Sequence, residues 1–156
     1  MNGEGVRGTP RTRASAAGKA ALLFSVLTAS MANRLAAEEE APDGLMVSLL
    51  RGEMVRGVTD TNPKFSWVVH SSSGNDVQSA YRVLVSSDPD ALSGGRADMW
   101  DSGRTASSAS ILVEYRGRKL SPDRTYHWKV KTWTKRGGES PWSRPQGFAT
   151  APAKFE

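Results

Sequence analysis

Short runs of alternating apolar and polar residues recur from Leu45 onward, and no long stretch has a helical period. The alternation is clearest in FSWVVH (65–70), QSAYRVLVSS (78–87) and TYHWKVKTW (125–133). A period of two is typical of a β-strand with one buried face. Four weaker runs also predict strands: LMVSLLRGEMV (45–55), MWDSG (99–103), SASILVEY (108–115) and QGFAT (146–150).

Turn-forming residues separate these runs. The segments SSSGND (71–76) and RGG (136–138) have loop composition, and DPDALSGGRAD (88–98) has room for at most one helical turn. About seven short strands in roughly 100 residues are typical of a Greek-key sandwich of the fibronectin type III or immunoglobulin type. The sequence therefore predicts an all-β, seven-stranded β-sandwich over residues 45–150.

The spacing of residues 120–130 predicts the core of this sandwich. Pro122 ends one strand, and Tyr126 enters the next with its ring inward and its hydroxyl bonded to the backbone of the turn, a tyrosine corner. Trp128 and Val130 continue the inward face and oppose Trp67 on the other sheet. We expect these core residues: Trp67, Tyr81, Tyr126, Trp128 and Val130.

Two later tryptophans are interpreted differently. Trp133 has the parity of Lys129 and Lys131 and is expected to point away from the core, and Trp142 precedes the last strand. They either cover the sandwich edge and stack on Lys and Arg stems, or form a surface that docks a neighbouring domain or a sugar. Trp100 is a further candidate for that surface.

The N-terminal residues predict an export signal. Residues 1–19 are basic, and AALLFSVLTASMA (20–32) is an apolar run that ends in small residues, so residues 1–32 are predicted to be a signal peptide cleaved after Ala32. Residues 33–44 are polar and are predicted to be a linker. The mature protein is then secreted or periplasmic, with no stable membrane insertion after cleavage.

Composition narrows the classes of function. The chain has 156 residues, no cysteine and a net charge of +5. Four basic residues and one acidic residue place +3 of that charge in residues 1–32, so 5 − 3 = +2 remains for the rest. No basic stripe accompanies it, which argues against a nucleic-acid partner.

The titratable residues form no catalytic or metal-binding pattern. An inverting glycosidase needs two carboxylates about 6.5–9.5 Å apart across a cleft, and the acids here fall on predicted turns or an edge strand. Two histidines without a third ligand make a poor metal site. We therefore predict no catalytic residue, no metal and no cofactor. The residues considered are Asp88, Asp90, Asp98, Asp101, His70 and His127.

Taken in order, several motifs resemble the N-terminal domain of bacterial α-L-rhamnosidases. The resemblance covers about residues 45–150, and its most specific piece is WDSG (100–103) between AYRVLV and the Tyr-x-Trp strand. The other pieces are NPKFSW (62–67), Tyr115-x-Gly117, Leu120 and ESPWSRPQGFAT (139–150).

This resemblance implies a fibronectin III-like sandwich that precedes further β domains and an (α/α)6 catalytic barrel. No residue here matches a catalytic position of the family, and residues 151–156 are interpreted as a tail or the start of a linker to a downstream domain. The function expected is a non-catalytic accessory domain of a secreted α-L-rhamnosidase-type glycosidase. Its partner would be the catalytic domain of the same polypeptide, or carbohydrate. A stand-alone carbohydrate-binding or cell-surface interaction module is the alternative.

Overall fold

The computed structural model describes residues 39–71 and 74–153, so the predicted signal peptide lies outside the described residues. These residues form ten strands and one short helix. In chain order they are β1 Asp43–Val47, β2 Leu50–Arg51, β3 Met54–Val58, β4 Lys64–Val68, β5 Gln78–Ser86, α1 Pro89–Ser93, β6 Trp100–Asp101, β7 Thr105–Ala106, β8 Val113–Glu114, β9 Thr125–Thr134 and β10 Gln146–Thr150.

The strands form two sheets. One has the order β2-β1-β4-β8, and the other has the order β3-β10-β9-β5-β6, with β7 paired to β5. All strand pairs are antiparallel except β10 with β3, which is parallel. The predicted all-β sandwich is confirmed. The described part has more strands than the seven predicted because residues 45–55 divide into three strands and β7 adds another.

The predicted strand 108–115 is mostly wrong. Only Val113 and Glu114 pair as a strand, and the preceding Leu112 has a φ of +55°. This left-handed conformation turns the chain out of the extended path, so Ile111 and Leu112 project into solvent with 67% and 46% of their surface exposed. The sequence has no glycine there to signal the turn.

Packing begins earlier than the predicted domain boundary. Strand β1 starts at Asp43, and Pro42 and Glu39 are already buried. A Cβ at Gly138 would lie 2.5 Å from a carboxylate oxygen of Glu39, so glycine at this position lets Glu39 lie against the backbone before β10. The last residues of the predicted linker therefore belong to the sandwich.

The interior between the sheets is aromatic. All five residues predicted as core belong to one buried cluster. Phe65 lies 4.4 Å from Trp128 and Trp67 lies 6.5 Å from Trp128, measured between ring centroids, so Trp128 contacts two rings of the opposite sheet. The backbone N–H of Ser121 donates to the Tyr126 hydroxyl at 2.9 Å, which is the hydrogen bond that a tyrosine corner requires.

Two buried glutamines satisfy the two central indoles. Trp67 donates its indole N–H to Gln78 at 3.0 Å, and Trp128 donates to Gln146 at 2.9 Å. The amide of Gln78 donates in turn to the carbonyls of residues 107 and 109, and that of Gln146 to the carbonyls of residues 45 and 52. Each glutamine thereby joins an indole in the core to backbone carbonyls distant in sequence.

Candidate functional site

The WDSG motif builds a kinked sheet edge. Asp101 accepts two hydrogen bonds from Arg82, at 2.9 and 2.7 Å, and a third from the N–H of Gly103. The Ser102 hydroxyl accepts the N–H of Val83 at 2.9 Å, in the place of a strand carbonyl. Gly103 has a φ of +60°, which suits glycine and redirects the chain from β6 into β7. Asp101 is therefore a structural residue in this edge.

Trp100, the first residue of the motif, faces the interior. Its ring packs 6.2 Å from Phe65 and 5.4 Å from Tyr115, and the Tyr115 hydroxyl donates to the carbonyl of Arg118 at 2.6 Å. A Cβ at Gly117 would lie 2.5 Å from both the Trp100 Cβ and the Tyr115 hydroxyl. The Tyr-x-Gly motif and WDSG thus form one packed unit, in which burial raises the pKa of Tyr115 to about 12.

The outer face of β9 carries a series of alternating cations and indoles. Arg104 lies 4.7 Å from the centroid of the Trp133 ring, and Lys131 lies 5.1 Å from the rings of both Trp133 and Trp142. Lys129 lies 4.9 Å from the Trp142 ring. We call this series of five side chains the cation–indole stack. Such contacts contribute about 0.5–2 kcal/mol each, more where water is excluded.

Two serines hold Trp142 in place. The N–H of Val130 donates to the Ser143 hydroxyl at 3.0 Å, and the N–H of Thr132 donates to the Ser140 hydroxyl at 2.9 Å. The backbone N–H groups of the same serines donate to the carbonyls of these two residues of β9. Hydroxyls therefore replace strand carbonyls along residues 140–143, and Trp142 is held over the lysines.

The three tryptophans predicted as one surface differ in their surroundings. Trp100 packs against the buried cluster of the sandwich interior. Trp133 shares the outer face with Lys131, but Arg104, from a distant part of the chain, and Lys131 leave only 7% of it exposed. Trp100 and Trp142 are each half-buried and keep accessible surface, whereas Trp133 is covered.

Charges on this face are mostly compensated locally. Hydrogen bonds from Lys131, and then from the indole of Trp133, lower the pKa of Glu139. Lys129 is only 6% exposed, and burial lowers the pKa of its ammonium group. At the opposite side of the domain, a hydrogen bond from His70 to Asp43 raises the pKa of His70.

An open groove lies between the edges of the two sheets. It has a volume of about 710 Å³ and is lined by β6 and β7 on one side and by residues 107–116 on the other. Tyr81 and Trp100 contribute its aromatic surface. The Tyr81 hydroxyl makes no hydrogen bond to any residue in the described ranges and is not a fully buried atom, although the residue as a whole is only 9% exposed. The walls of this groove meet only in the folded sandwich, so no sequence pattern predicts it.

Residues 39–71 and 74–153 contain neither a cluster of metal ligands nor a helix of membrane-spanning length. Nowhere in these ranges do three His, Cys, Asp or Glu side chains gather as a metal site would require. No helix within the same ranges has the length and apolar character of a membrane span.

The comparisons with known proteins place the chain in a family. Residues 51–154 match the family described as the Rha78A-like, N-terminal immunoglobulin domain, and the chain belongs to that family. An α-L-rhamnosidase of Formosa agariphila is 42% identical over 91 residues, which cover 58% of this chain and 10% of that protein.

Two solved structures extend the likeness to the fold. The α-L-rhamnosidase from Dictyoglumus thermophilum superposes with a TM-score of 0.69 at 33% identity, over 73% of this chain and 13% of that one. The α-L-rhamnosidase of Streptomyces avermitilis, in a crystal structure with L-rhamnose, gives a TM-score of 0.65 at 35% identity, over 71% of this chain and 10% of that one. The chain thus spans about a tenth of the length of the relatives it matches.

Proposed function

We propose that the chain is a non-catalytic accessory domain of a secreted α-L-rhamnosidase-type glycoside hydrolase, where it supports and positions a catalytic region. The observation that carries this proposal is the family match, in which the region shared with this chain makes up only about a tenth of each α-L-rhamnosidase. The partner is then the catalytic domain of the same polypeptide.

The roles of the shared motifs support an accessory role. Much of the resemblance rests on five residues that pack or form hydrogen bonds within the sandwich edge. They are Trp100, Asp101, Ser102, Tyr115 and Gly117. Motifs that serve a reaction would instead direct polar groups toward a substrate. The resemblance is accounted for by the architecture of the sandwich.

The acidic residues support the same role. Among the described residues, four carboxyls have a shifted pKa, and each of them makes hydrogen bonds or an ion pair with side chains that fix the fold. In all four the pKa is lowered. A glycosidase general acid needs the opposite, a raised pKa.

Export is the second part of the proposal. The sequence pattern of residues 1–32 supports a signal peptide, with cleavage after Ala32 and a mature chain beginning at Asn33. Mass spectrometry of the exported protein tests this point, and an intact Met1 in the mature product would contradict it.

The accessory role is tested with the purified chain and an aryl α-L-rhamnoside. We expect no release of the aryl alcohol above the rate in buffer, and we expect the DNA after codon 156 to continue in frame into a catalytic domain. Hydrolysis of the rhamnoside by the 156-residue chain alone, at a rate above that in buffer and lost when the chain is denatured, would overturn the proposal.

A further inference from the structure

The groove between the sheet edges has the dimensions of a small-ligand site. Its volume of about 710 Å³ falls within the range of roughly 300–1,000 Å³ that is usual for such sites. Both walls are held by hydrogen bonds: Ser102 fixes the β6–β7 edge, and the N–H of Leu112 donates to the Ser66 hydroxyl at 2.9 Å on the other side. The groove is therefore formed before any ligand arrives.

An unpaired hydroxyl lies in this groove. Tyr81 is 9% exposed and its ring packs 5.3 Å from Trp67; its hydroxyl has no hydrogen-bond partner in the described part of the chain and is not one of the fully buried atoms, so it stays accessible. The hydroxyls of Tyr115 and Tyr126, by contrast, form hydrogen bonds within the sandwich. A hydroxyl left open in a groove is a donor and acceptor for a ligand.

The rim of the groove is apolar on one side. Ile111 and Leu112 are exposed, and Leu112 adopts a φ of +55°, a conformation that costs a branched aliphatic residue free energy. Glu114 lines the same groove and adds a carboxylate acceptor. Hydrophobic side chains thus stand beside a free hydroxyl and a carboxylate, an arrangement that matches a ligand with both hydroxyl groups and an apolar edge.

We propose that this groove binds a terminal 6-deoxyhexopyranose, an L-rhamnosyl residue, with its hydroxyls toward Tyr81 and Glu114 and its methyl group toward Ile111 and Leu112. The amphipathic lining points to a sugar with a methyl edge, and the choice of L-rhamnose rests on the proposed function. In this role the domain would hold substrate chains near the catalytic region.

A sugar fits this groove better than a protein partner does. The Tyr81 hydroxyl belongs to a side chain that is almost fully buried, and a small ligand can enter the concave space to reach it. The cation–indole stack is a weaker candidate, because Trp133 is covered and its cations already lie over indole rings. Docking of the catalytic region in the groove is kept as an outcome of the test.

The experiment titrates the full chain with methyl α-L-rhamnopyranoside and, separately, with methyl α-L-mannopyranoside, which differs by a 6-hydroxyl. Amide NMR shifts report the position of binding. We expect shifts at groove residues such as Ser107 and Leu112, and weaker binding of the mannoside, because its extra hydroxyl would lose water against the apolar rim.

Two variants test the residues. Tyr81→Phe removes only an unpaired hydroxyl, so we expect unchanged thermal stability and about 3- to 10-fold weaker binding. Leu112→Ser should reduce the preference for the rhamnoside over the mannoside. Leu49→Ser is its matched control, since Leu49 is also exposed and has a φ of +66° but does not line the groove; we expect it to bind as wild type.

Three results would overturn the proposal: no groove shifts at tens of millimolar rhamnoside, shifts centred on Trp142 instead, or equal binding by wild type and Tyr81→Phe. Groove shifts seen only on addition of the catalytic region would also overturn it and identify the groove as a domain interface. None of these results alters the hydrolysis and downstream-sequence tests, so failure here is distinguishable from failure of the accessory role.

Discussion

The indole N–H of Trp128 donates to the side-chain oxygen of Gln146 at 2.9 Å, and the same relationship recurs between Trp67 and Gln78. Trp128 and Gln146 lie on neighbouring strands of one sheet, whereas the second pair joins Trp67 of β4 to Gln78 of β5 and so links the two sheets. In each pair the glutamine also donates to two backbone carbonyls distant in sequence. The glutamines therefore connect the interior to distant backbone segments of the sandwich.

Replacing Gln146 with Leu should be strongly destabilising. The change leaves the Trp128 indole and the carbonyls of residues 45 and 52 without their partner. Unpaired buried groups cost about 1–3 kcal/mol each, so we expect the free energy of unfolding to fall by about 3–5 kcal/mol in urea titrations. Arg144→Ala, at an exposed position two residues away, should change it by less than about 0.5 kcal/mol. Similar values for both variants would contradict the role given to Gln146.

Gly117→Ala tests the packed unit formed with WDSG. The new methyl group would overlap the Trp100 Cβ, the Tyr115 hydroxyl and the carbonyl oxygen of Met99. We expect a loss of about 2–4 kcal/mol in the free energy of unfolding, because backbone and ring must both shift. Gly74→Ala is the control, since nothing lies within 4 Å of a Cβ there. A Gly117→Ala protein that melts like wild type would show that Gly117 does not lie in tight contact with Trp100 and Tyr115.

Tyr126→Phe tests the tyrosine corner. The variant loses the acceptor for the Ser121 N–H and keeps the ring. We expect a loss of about 1–2 kcal/mol. Tyr81→Phe is its natural comparison, because the Tyr81 hydroxyl has no partner in the described part of the chain. Equal melting temperatures for the two variants would contradict the assignment of the corner.

The ion pair of Asp101 and Arg82 predicts a dependence of stability on acid pH. Hydrogen bonds from Arg82 lower the pKa of Asp101 below its ordinary value of 3.8. A carboxyl with a lower pKa in the folded state stabilises it above the unfolded-state pKa, and this contribution is lost as the pH falls through the folded-state pKa. Unfolding free energies measured from pH 6 to pH 2 should therefore decline below about pH 4.

Asp101→Asn should flatten this decline, because the variant has no carboxyl to protonate at this position. The effect will be modest, since the Asp101 side chain is 40% exposed and solvent screens the pair. Asp123→Asn, at an exposed turn away from Arg82, provides the control. If Asp101→Asn and wild type lose stability in parallel over this range, the pair is not the cause.

Much of the fold follows from the sequence pattern. Alternation located β4, β5 and β9, and the spacing from Pro122 to Tyr126 indicated the corner, because both signals are local in the chain. The family resemblance rested on motifs whose roles in the structure are architectural. The alternation of apolar and polar residues was sufficient to predict a strand wherever the strand was long enough to define its two faces.

The features that escaped prediction depend on contacts distant in sequence. Gln146 bonds to a carbonyl 101 residues earlier, and nothing in QGFAT signals it. Trp100 lies in a strand of two residues, too short for alternation to define its direction. Leu112 turns the chain without a glycine, so its run looked like a continuous strand. The groove is lined by Trp100 and Leu112, so it could not be predicted from the sequence.

The central claim is that this sandwich supports a catalytic region in the same polypeptide. The most direct measurement compares the melting temperature of that catalytic region produced with and without the sandwich, together with kcat on an aryl α-L-rhamnoside. We predict that removing the sandwich lowers the melting temperature of the catalytic region by several degrees and leaves its kcat nearly unchanged. An unchanged melting temperature, or a kcat reduced to the buffer rate in a catalytic region that remains folded, would contradict the account.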